Sequence, residues 1–242
     1  MPRRELILMA HAGRCGSSVL GNLLNQHPDV VWGGEIFQMP SGRDHAGPGL
    51  IDWLARARTR PGKRVVGLEL KPWFSRFTGW PMQDLIQGMR ERFDLRMVTL
   101  RRRNLLRSLV SAAVAEARQT YHLYGEVKAE LAPIRLDPAK VLYGDLTCSL
   151  LEQLERLELF DLQIERLSRA MAPLRLTYED DVQDSPLRGY ELIRRHAGLG
   201  EFRPQVRLSR TTPFPLSAVV ENWSEIRALL SGLRYARFCE GE

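Results

Sequence analysis

The sequence predicts an α/β fold with a mostly parallel central sheet and helices on both of its faces. Two observations support this prediction. Short aliphatic runs of the length of buried strands recur along the chain, and amphipathic helical patterns separate them. Repeated strand–helix alternation is typical of parallel sheets. Because 242 residues suffice for one sizeable core, we expect a single domain over residues 1–242.

Each predicted strand is rich in Val, Leu and Ile and ends at polar or charged residues, as strands buried on both faces do. Four such runs are expected as strands: 6–10, 65–70, 95–100 and 174–177.

Three helices are predicted from their apolar stripes. The first covers 17–26, and the second follows Asn104, an acceptable N-cap, and extends to about Arg118. The third spans 149–171, where apolar residues advance by threes and fours. Two segments break this rhythm: a Gly- and Pro-rich loop at 39–50, and 121–143, which we expect to be a peripheral insert near the substrate.

Composition narrows the class of ligand. The net charge of +6 favours anionic ligands. Basic and aromatic residues do not interleave as in a nucleic-acid platform, so a nucleic-acid partner is not expected. The three cysteines are scattered and predict no disulfide framework or metal site. No apolar run is long enough to span a membrane, and the short run after Arg3 and Arg4 is no secretory signal, so we expect a cytoplasmic protein.

The segment HAGRCGSSVL, residues 11–20, joins the first predicted strand to the first helix. Gly13 and Gly16 permit a tight turn, and the first amides of a helix attract an anion. Ser17 and Ser18 add hydroxyl donors, and Arg14 adds a charge within the loop. The layout predicts a P-loop-NTPase-like three-layer fold, although the Lys-Ser/Thr pair of the nucleotide kinases is missing.

A second basic cluster, RMVTLRRRNLLRSLVS, places Arg101, Arg102 and Arg103 where the third predicted strand ends. Metal-dependent P-loop enzymes commonly carry a carboxylate at such a position. Three arginines instead indicate a second anion and no metal. Ser111, two turns into the following helix, is expected to share that anion.

These motifs resemble those of the sulfotransferases that use 3′-phosphoadenosine 5′-phosphosulfate (PAPS) and release 3′-phosphoadenosine 5′-phosphate (PAP). GRCGSS is similar to their 5′-phosphosulfate loop and RRRNLLRSLVS to their 3′-phosphate motif. The likeness is to the bacterial and carbohydrate type, including the nodulation-factor sulfotransferases, through NQHPDVVWGGEIF, LTYEDDVQDSP and RTTPFPLSAVVENWSEI. The resemblance implies a PAPS donor, no metal, and a hydroxyl on a glycan or a small natural product as acceptor.

The resemblance also implies roles for individual residues. It assigns the 5′-phosphosulfate to the loop, the 3′-phosphate to Arg102 or Arg103 with Ser111, the adenine to Tyr178, and a closing segment over the nucleotide to the C-terminal motif. The implied donor-binding residues are Arg14, Cys15, Gly16, Ser17, Ser18, Arg102, Arg103, Ser111, Tyr178, Arg210, Thr211 and Thr212. From the sequence alone, Cys15 is a small filler with no histidine partner. His11 is expected to be a structural imidazole at a strand end, and a contact with the cofactor is the alternative.

Transfer to a hydroxyl requires a base. Glu35, which follows two glycines and precedes apolar Ile36, matches the glutamate proposed as base in the carbohydrate sulfotransferases. Glu69 and Lys71 end another strand at the same edge, so Glu69 is the alternative base. Lys71 is expected either to hold the transferring sulfo group or to form a plain ion pair.

Two other functions remain open at this point. One is an ATP-dependent small-molecule kinase, and the other is a nucleotide-binding module without turnover. The identity of the acceptor molecule and the oligomeric state stay open. Five aromatic residues are candidates for stacking on an acceptor or for the core: Trp32, Trp53, Trp73, Phe74 and Trp80.

Overall fold

The structure is a computed structural model of the chain, and it describes residues 4–36, 51, 62–125, 127 and 129–240. The predicted loop at 39–50 and Trp53 lie outside the described residues. The α/β class is confirmed: a five-stranded parallel sheet is flanked by helices.

The sheet has the strand order β2-β3-β1-β4-β8, and all of its pairings are parallel. The four predicted strands are confirmed, and the short β2 joins them at one edge. Their bounds are β1 (Arg4–Ala10), β2 (Val30–Trp32), β3 (Val65–Leu70), β4 (Phe93–Arg101) and β8 (Leu174–Thr177). Short antiparallel pairs elsewhere are β5 (Leu123–Tyr124) with β9 (Leu208–Ser209), and β6 (Val141–Tyr143) with β7 (Leu146–Cys148).

The three predicted helices are confirmed as α1, α4 and α5. Asn104 is the N-cap of α4, where its Oδ1 accepts the Arg107 amide N–H at 3.0 Å. None of the described helices combines the length and apolarity needed to cross a bilayer. The helices are α1 (Ser17–Gln26), α2 (Ser75–Thr78), α3 (Met82–Arg92), α4 (Leu105–Arg118), α5 (Leu150–Ser168), α6 (Tyr178–Asp181), α7 (Pro186–His196), α8 (Leu216–Val219) and α9 (Trp223–Leu230), with 3-10 turns at Pro72–Phe74, Arg169–Met171 and Ala236–Cys239.

The chain divides into two compact units. The first comprises 1–101 and 160–206 and contains the five-stranded sheet. The second comprises 102–159 and 207–242, contains both antiparallel pairs, and includes the segment 121–143. That segment contributes β5, a bridge between Ile134 and Val220, and β6. The single-domain organisation over 1–242 stays a prediction.

The core of the first unit lies between the sheet and the helices α1 and α7. Ile7 and Met9 of β1 point into it, together with Leu20, Leu23 and Leu24 of α1. Alternation along the strand directs Leu6 and Leu8 to the opposite face, and both are fully buried. Burial on both faces explains why β1 is a continuous apolar run.

Two glycines create a slot for the indole of Trp32. A Cβ added at Gly67 of β3 would overlap the six-membered ring of Trp32, and one at Gly21 of α1 would overlap its pyrrole edge. The ring therefore lies between a strand and a helix at distances that only glycine permits. Trp32 is therefore part of the packing of the first unit. This is the core role that was predicted as the alternative to stacking on an acceptor.

The slot predicts a specific cost for adding one methyl group. We expect Gly67→Ala to lower the free energy of unfolding by about 1–3 kcal/mol, since the indole must leave its place. Urea denaturation measures this. Gly200→Ala is the matched control, because a Cβ there meets no atom within 4 Å, and its effect should stay within about 0.5 kcal/mol. Equal stability of the two variants would contradict the slot.

Candidate functional site

The candidate site lies at the carboxyl edge of the parallel sheet. Ala10 of β1 and Leu70 of β3 are register partners, so both strands end level with each other. The His11 amide N–H continues this pairing by donating to the Leu70 carbonyl at 3.1 Å. β1 lies between β3 and β4, where the strand order reverses, and such a switch point is where ligands bind in open α/β sheets.

The loop between β1 and α1 is bent by three residues with positive φ. Gly13, Arg14 and Gly16 have φ of 89°, 48° and 88°. Arg14 is not a glycine, so its left-handed backbone is strained, and strain of this kind concentrates at functional sites. The bend leads into the N-terminus of α1, where backbone amides and the helix dipole favour an anion.

Gly16 is fixed in place by close packing as well as by its dihedral angles. A Cβ at this position would come within 2.8 Å of Val182 Cγ1 and 3.1 Å of Tyr178 Cδ2. Tyr178, predicted to contact the adenine, is 9 % exposed and belongs to the core between the sheet and α1. Its aromatic ring packs against Gly16 of the loop. The contact of Tyr178 with the adenine stays a prediction.

His11 connects the loop to β3. Its imidazole is fully buried, as expected for a structural imidazole, and its Nε2 lies 2.9 Å from Glu69 Oε2. Its Nδ1 accepts the Gly13 amide N–H at 3.0 Å. The contacts with Cys15 and Glu69 outweigh burial and raise the pKa of His11, but a proton on Nδ1 would face the amide hydrogen of Gly13. The Gly13 bond requires an unprotonated Nδ1, so this geometry holds the proton on Nε2, which donates to Glu69.

Glu69 is a buried carboxylate surrounded by donors. Trp32 Nε1 donates to Oε1 at 3.2 Å, His11 donates to Oε2, and the Ser17 side chain donates as well. Burial raises the pKa of Glu69, but the His11 hydrogen bond, the Lys71 charge and the Ser17 hydrogen bond outweigh it and lower the pKa below its ordinary value. Glu69 is therefore an ionised acceptor at neutral pH.

Glu35 and Lys71 meet at the same edge. The Lys71 ammonium pairs with Glu35 Oε1, and it lies 5.3 Å from the centroid of the Trp73 ring. The Lys71 side chain is 9 % exposed, whereas that of Glu35 is 34 % exposed. A half-exposed carboxylate beside a largely buried ammonium places a proton acceptor next to a fixed positive charge.

The two serines and the cysteine of the loop differ in how deeply they are buried. Ser18 is half-buried, whereas Ser17 and Cys15 are 5 % and 1 % exposed. Cys15 belongs to the core, as expected for a small filler. The expectation that it has no histidine partner was wrong, because it lies within hydrogen-bonding range of His11. The sequence did not indicate this contact, since it depends on the bend of the loop.

The predicted 3′-phosphate ligands belong to the second unit. Arg102 is buried at 8 % exposure, while Arg101 and Arg103 are exposed. Ser111 of α4 is buried at 5 % exposure. In the C-terminal segment, Arg210 is exposed and Thr211 and Thr212 are half-buried. The roles of these residues toward a nucleotide stay predictions.

Among the aromatic candidates, Trp73 and Phe74 are buried at 5 % and 0 % exposure and pack in the core. Trp80 is half-buried and lines a cleft of about 840 Å³ in the first unit. The cleft is also lined by Ser75, Gly79, Pro81, Met82, Gln83, Gln163, Arg166 and Leu167.

Comparison with known proteins shows the fold. No family model matches the chain, and no curated protein matches it by sequence. Among solved structures, a sulfotransferase from Alicyclobacillus acidocaldarius superposes with a TM-score of 0.50 at 16 % identity, over 98 % of this chain and 94 % of that chain. The predicted P-loop-like α/β fold is thus the fold of a protein described as a sulfotransferase.

The lowered pKa of Glu69 predicts a pH signature in stability. The folded-state pKa lies below the ordinary value of 4.5, so the stabilisation is complete above pH 4.5 and is lost as the pH falls through the folded-state pKa. We expect the stability advantage of the wild type over Glu69→Gln to narrow by about 1 kcal/mol between pH 6 and pH 4. Urea denaturation of both proteins at each pH measures it, and a constant difference would contradict the assignment.

Proposed function

We propose that the protein is a sulfotransferase that moves a sulfo group from PAPS to the hydroxyl of a carbohydrate or small natural product. The observation that carries the proposal is the strained loop at the N-terminus of α1, with the Glu35–Lys71 pair at the same sheet edge. The shared fold with a protein described as a sulfotransferase supports it.

The residues of the loop fit the phosphosulfate end of such a donor. Two glycines with positive φ allow the backbone to approach a ligand without a Cβ in the way. Arg14 supplies a charge, the first amides of α1 supply donors, and half-buried Ser18 supplies a hydroxyl. The Ser17 hydroxyl donates to Glu69, so the contribution of Ser17 to the donor is its amide.

The residues at this sheet edge can perform each step of sulfo transfer. The bound donor supplies an activated sulfo group, whose transfer forms an oxygen–sulfur bond and leaves the electron pair of the broken bond on the 5′-phosphate. Glu35 accepts the proton of the attacking hydroxyl. Arg14 and the amides at the start of α1 stabilise the negative charge that develops on the bridging oxygen. Lys71, beside Glu35, holds the sulfo group.

Glu35 is preferred over Glu69 as the base for two reasons. The Glu35 side chain is 34 % exposed and so accessible to an acceptor, whereas Glu69 is 4 % exposed. Both oxygens of Glu69 already accept hydrogen bonds within the protein, and its lowered pKa makes it a weak proton acceptor.

Burial suggests a choice among the three consecutive arginines at the end of β4. Arg102 is the buried member of the three, so its guanidinium is held in place by its surroundings, while Arg101 and Arg103 extend into solvent. We assign the 3′-phosphate to Arg102 with Ser111. For Tyr178, Arg210, Thr211 and Thr212 we propose nucleotide contacts on the basis of the sequence motifs alone. We also propose a cytoplasmic location.

The base assignment predicts that Glu35→Gln keeps the donor site and loses turnover. We expect transfer of ³⁵S from PAPS to a hydroxyl acceptor, taken from a panel of glycans and phenols, to fall by about 100-fold or more. The affinity for PAP, measured by calorimetry, should stay within about twofold, because Glu35 contacts the acceptor and not the nucleotide.

Glu165→Gln is the control for Glu35→Gln, since it removes an exposed carboxylate of α5 and should leave transfer unchanged. Full transfer activity in Glu35→Gln would contradict the base assignment. Transfer of phosphate from ATP in place of sulfo transfer from PAPS would contradict the proposed reaction.

A further inference from the structure

We infer that Glu69 is a positioning residue that holds the anion-binding loop, residues 11–18, in its bent shape through His11 at one end and Ser17 at the other. This inference rests on the proposed function for what the loop binds. The geometry of the anchor stands without it, since every contact lies within the first unit.

The first connection runs through His11. Nε2 of the imidazole lies 2.9 Å from Glu69 Oε2, and Nδ1 accepts the Gly13 amide N–H at 3.0 Å. The imidazole is fully buried, so solvent cannot replace either partner. Glu69 thereby fixes the ring, and the ring fixes Gly13, the first of the residues with positive φ.

The second connection runs through Ser17, the first residue of α1. Its side chain donates to Glu69, and it is 5 % exposed. The carboxylate therefore takes hydrogen bonds from both ends of the loop. Arg14, whose backbone is strained at positive φ, and Gly16 lie between the two fixed ends.

A carboxylate is required at this position because all of its partners are donors. His11, Trp32 and Ser17 donate to it, and the charge of Lys71 lies nearby. The other titratable groups nearby interact with these partners of Glu69: Cys15 contacts His11, and Glu35 pairs with Lys71. A glutamine would present an amide NH₂ to one of the donors, leaving two hydrogens facing each other. Size alone does not serve this role.

The test compares the donor affinity and the loop mobility of Glu69→Gln with those of the wild type. PAP is the probe for affinity, measured by calorimetry, and hydrogen–deuterium exchange of residues 11–18 in the unliganded protein reports the loop. We expect PAP affinity to fall by about tenfold or more and exchange of this segment to accelerate by a similar factor.

Two substitutions of His11 test the path. In His11→Asn the side-chain oxygen replaces Nδ1 as the acceptor for Gly13, but the side chain does not reach Glu69. In His11→Gln the side chain reaches Glu69 but does not replace Nδ1. Both variants are expected to weaken PAP binding. The double variant Glu69→Gln, His11→Gln should bind PAP no more weakly than the weaker-binding single variant, since both substitutions break the same connection through His11.

Trp32→Phe is the matched control. It removes one hydrogen bond to Glu69 Oε1 without touching the loop. We expect it to lower stability while PAP affinity and loop exchange stay within about twofold of wild type. If the buried charge had a structural role alone, PAP affinity and loop exchange would change alike in Trp32→Phe and Glu69→Gln.

The outcomes separate the two proposals. If the wild type does not bind PAP, the proposed function fails, and faster loop exchange in Glu69→Gln still supports the anchor. If folded Glu69→Gln keeps wild-type loop exchange, the anchor is overturned whatever the PAP affinity. If Glu69→Gln does not fold, the same two readouts on His11→Asn decide, with wild-type values overturning the anchor.

Discussion

The buried carboxylate of Glu69 is the interaction on which the candidate site depends. It accepts hydrogen bonds from His11 at the end of β1, from Trp32 at the end of β2 and from Ser17 at the start of α1. Removing an ion from water is costly unless it is compensated, and three donors with a nearby ammonium provide that compensation. One side chain thus connects three elements of the sheet edge with the loop they support.

The same carboxylate separates the roles of neighbouring residues. Glu69 occupies the Ser17 hydroxyl, which leaves the hydroxyl of Ser18 for a ligand. Glu69 is buried and ionised, while Glu35, half-exposed and paired with Lys71, is accessible to an acceptor. The buried carboxylate supports the loop, and the half-exposed carboxylate at the same sheet edge is the proposed base.

Local patterns were enough to predict much of the fold. The strands at 65–70 and 174–177 and the helix at 17–26 have the predicted bounds, because aliphatic runs and an amphipathic stripe encode them. The loop between β1 and α1 was also evident from its glycines and Arg14. The role of His11 was not, since its partners Glu69 and Cys15 meet it only after the strands pair and the loop bends. The Trp32 slot needs Gly21 and Gly67, which are distant in sequence.

The proposed function requires that the protein binds a 3′-phosphorylated adenine nucleotide without a metal ion. Calorimetry in EDTA with PAP and with adenosine 5′-phosphate, followed by ATP with Mg²⁺, tests it most directly. We expect PAP to bind in EDTA and the nucleotide lacking the 3′-phosphate to bind at least about tenfold more weakly, because it lacks a charge-assisted contact. Equal affinity for the two nucleotides, or preference for ATP with Mg²⁺, would contradict it.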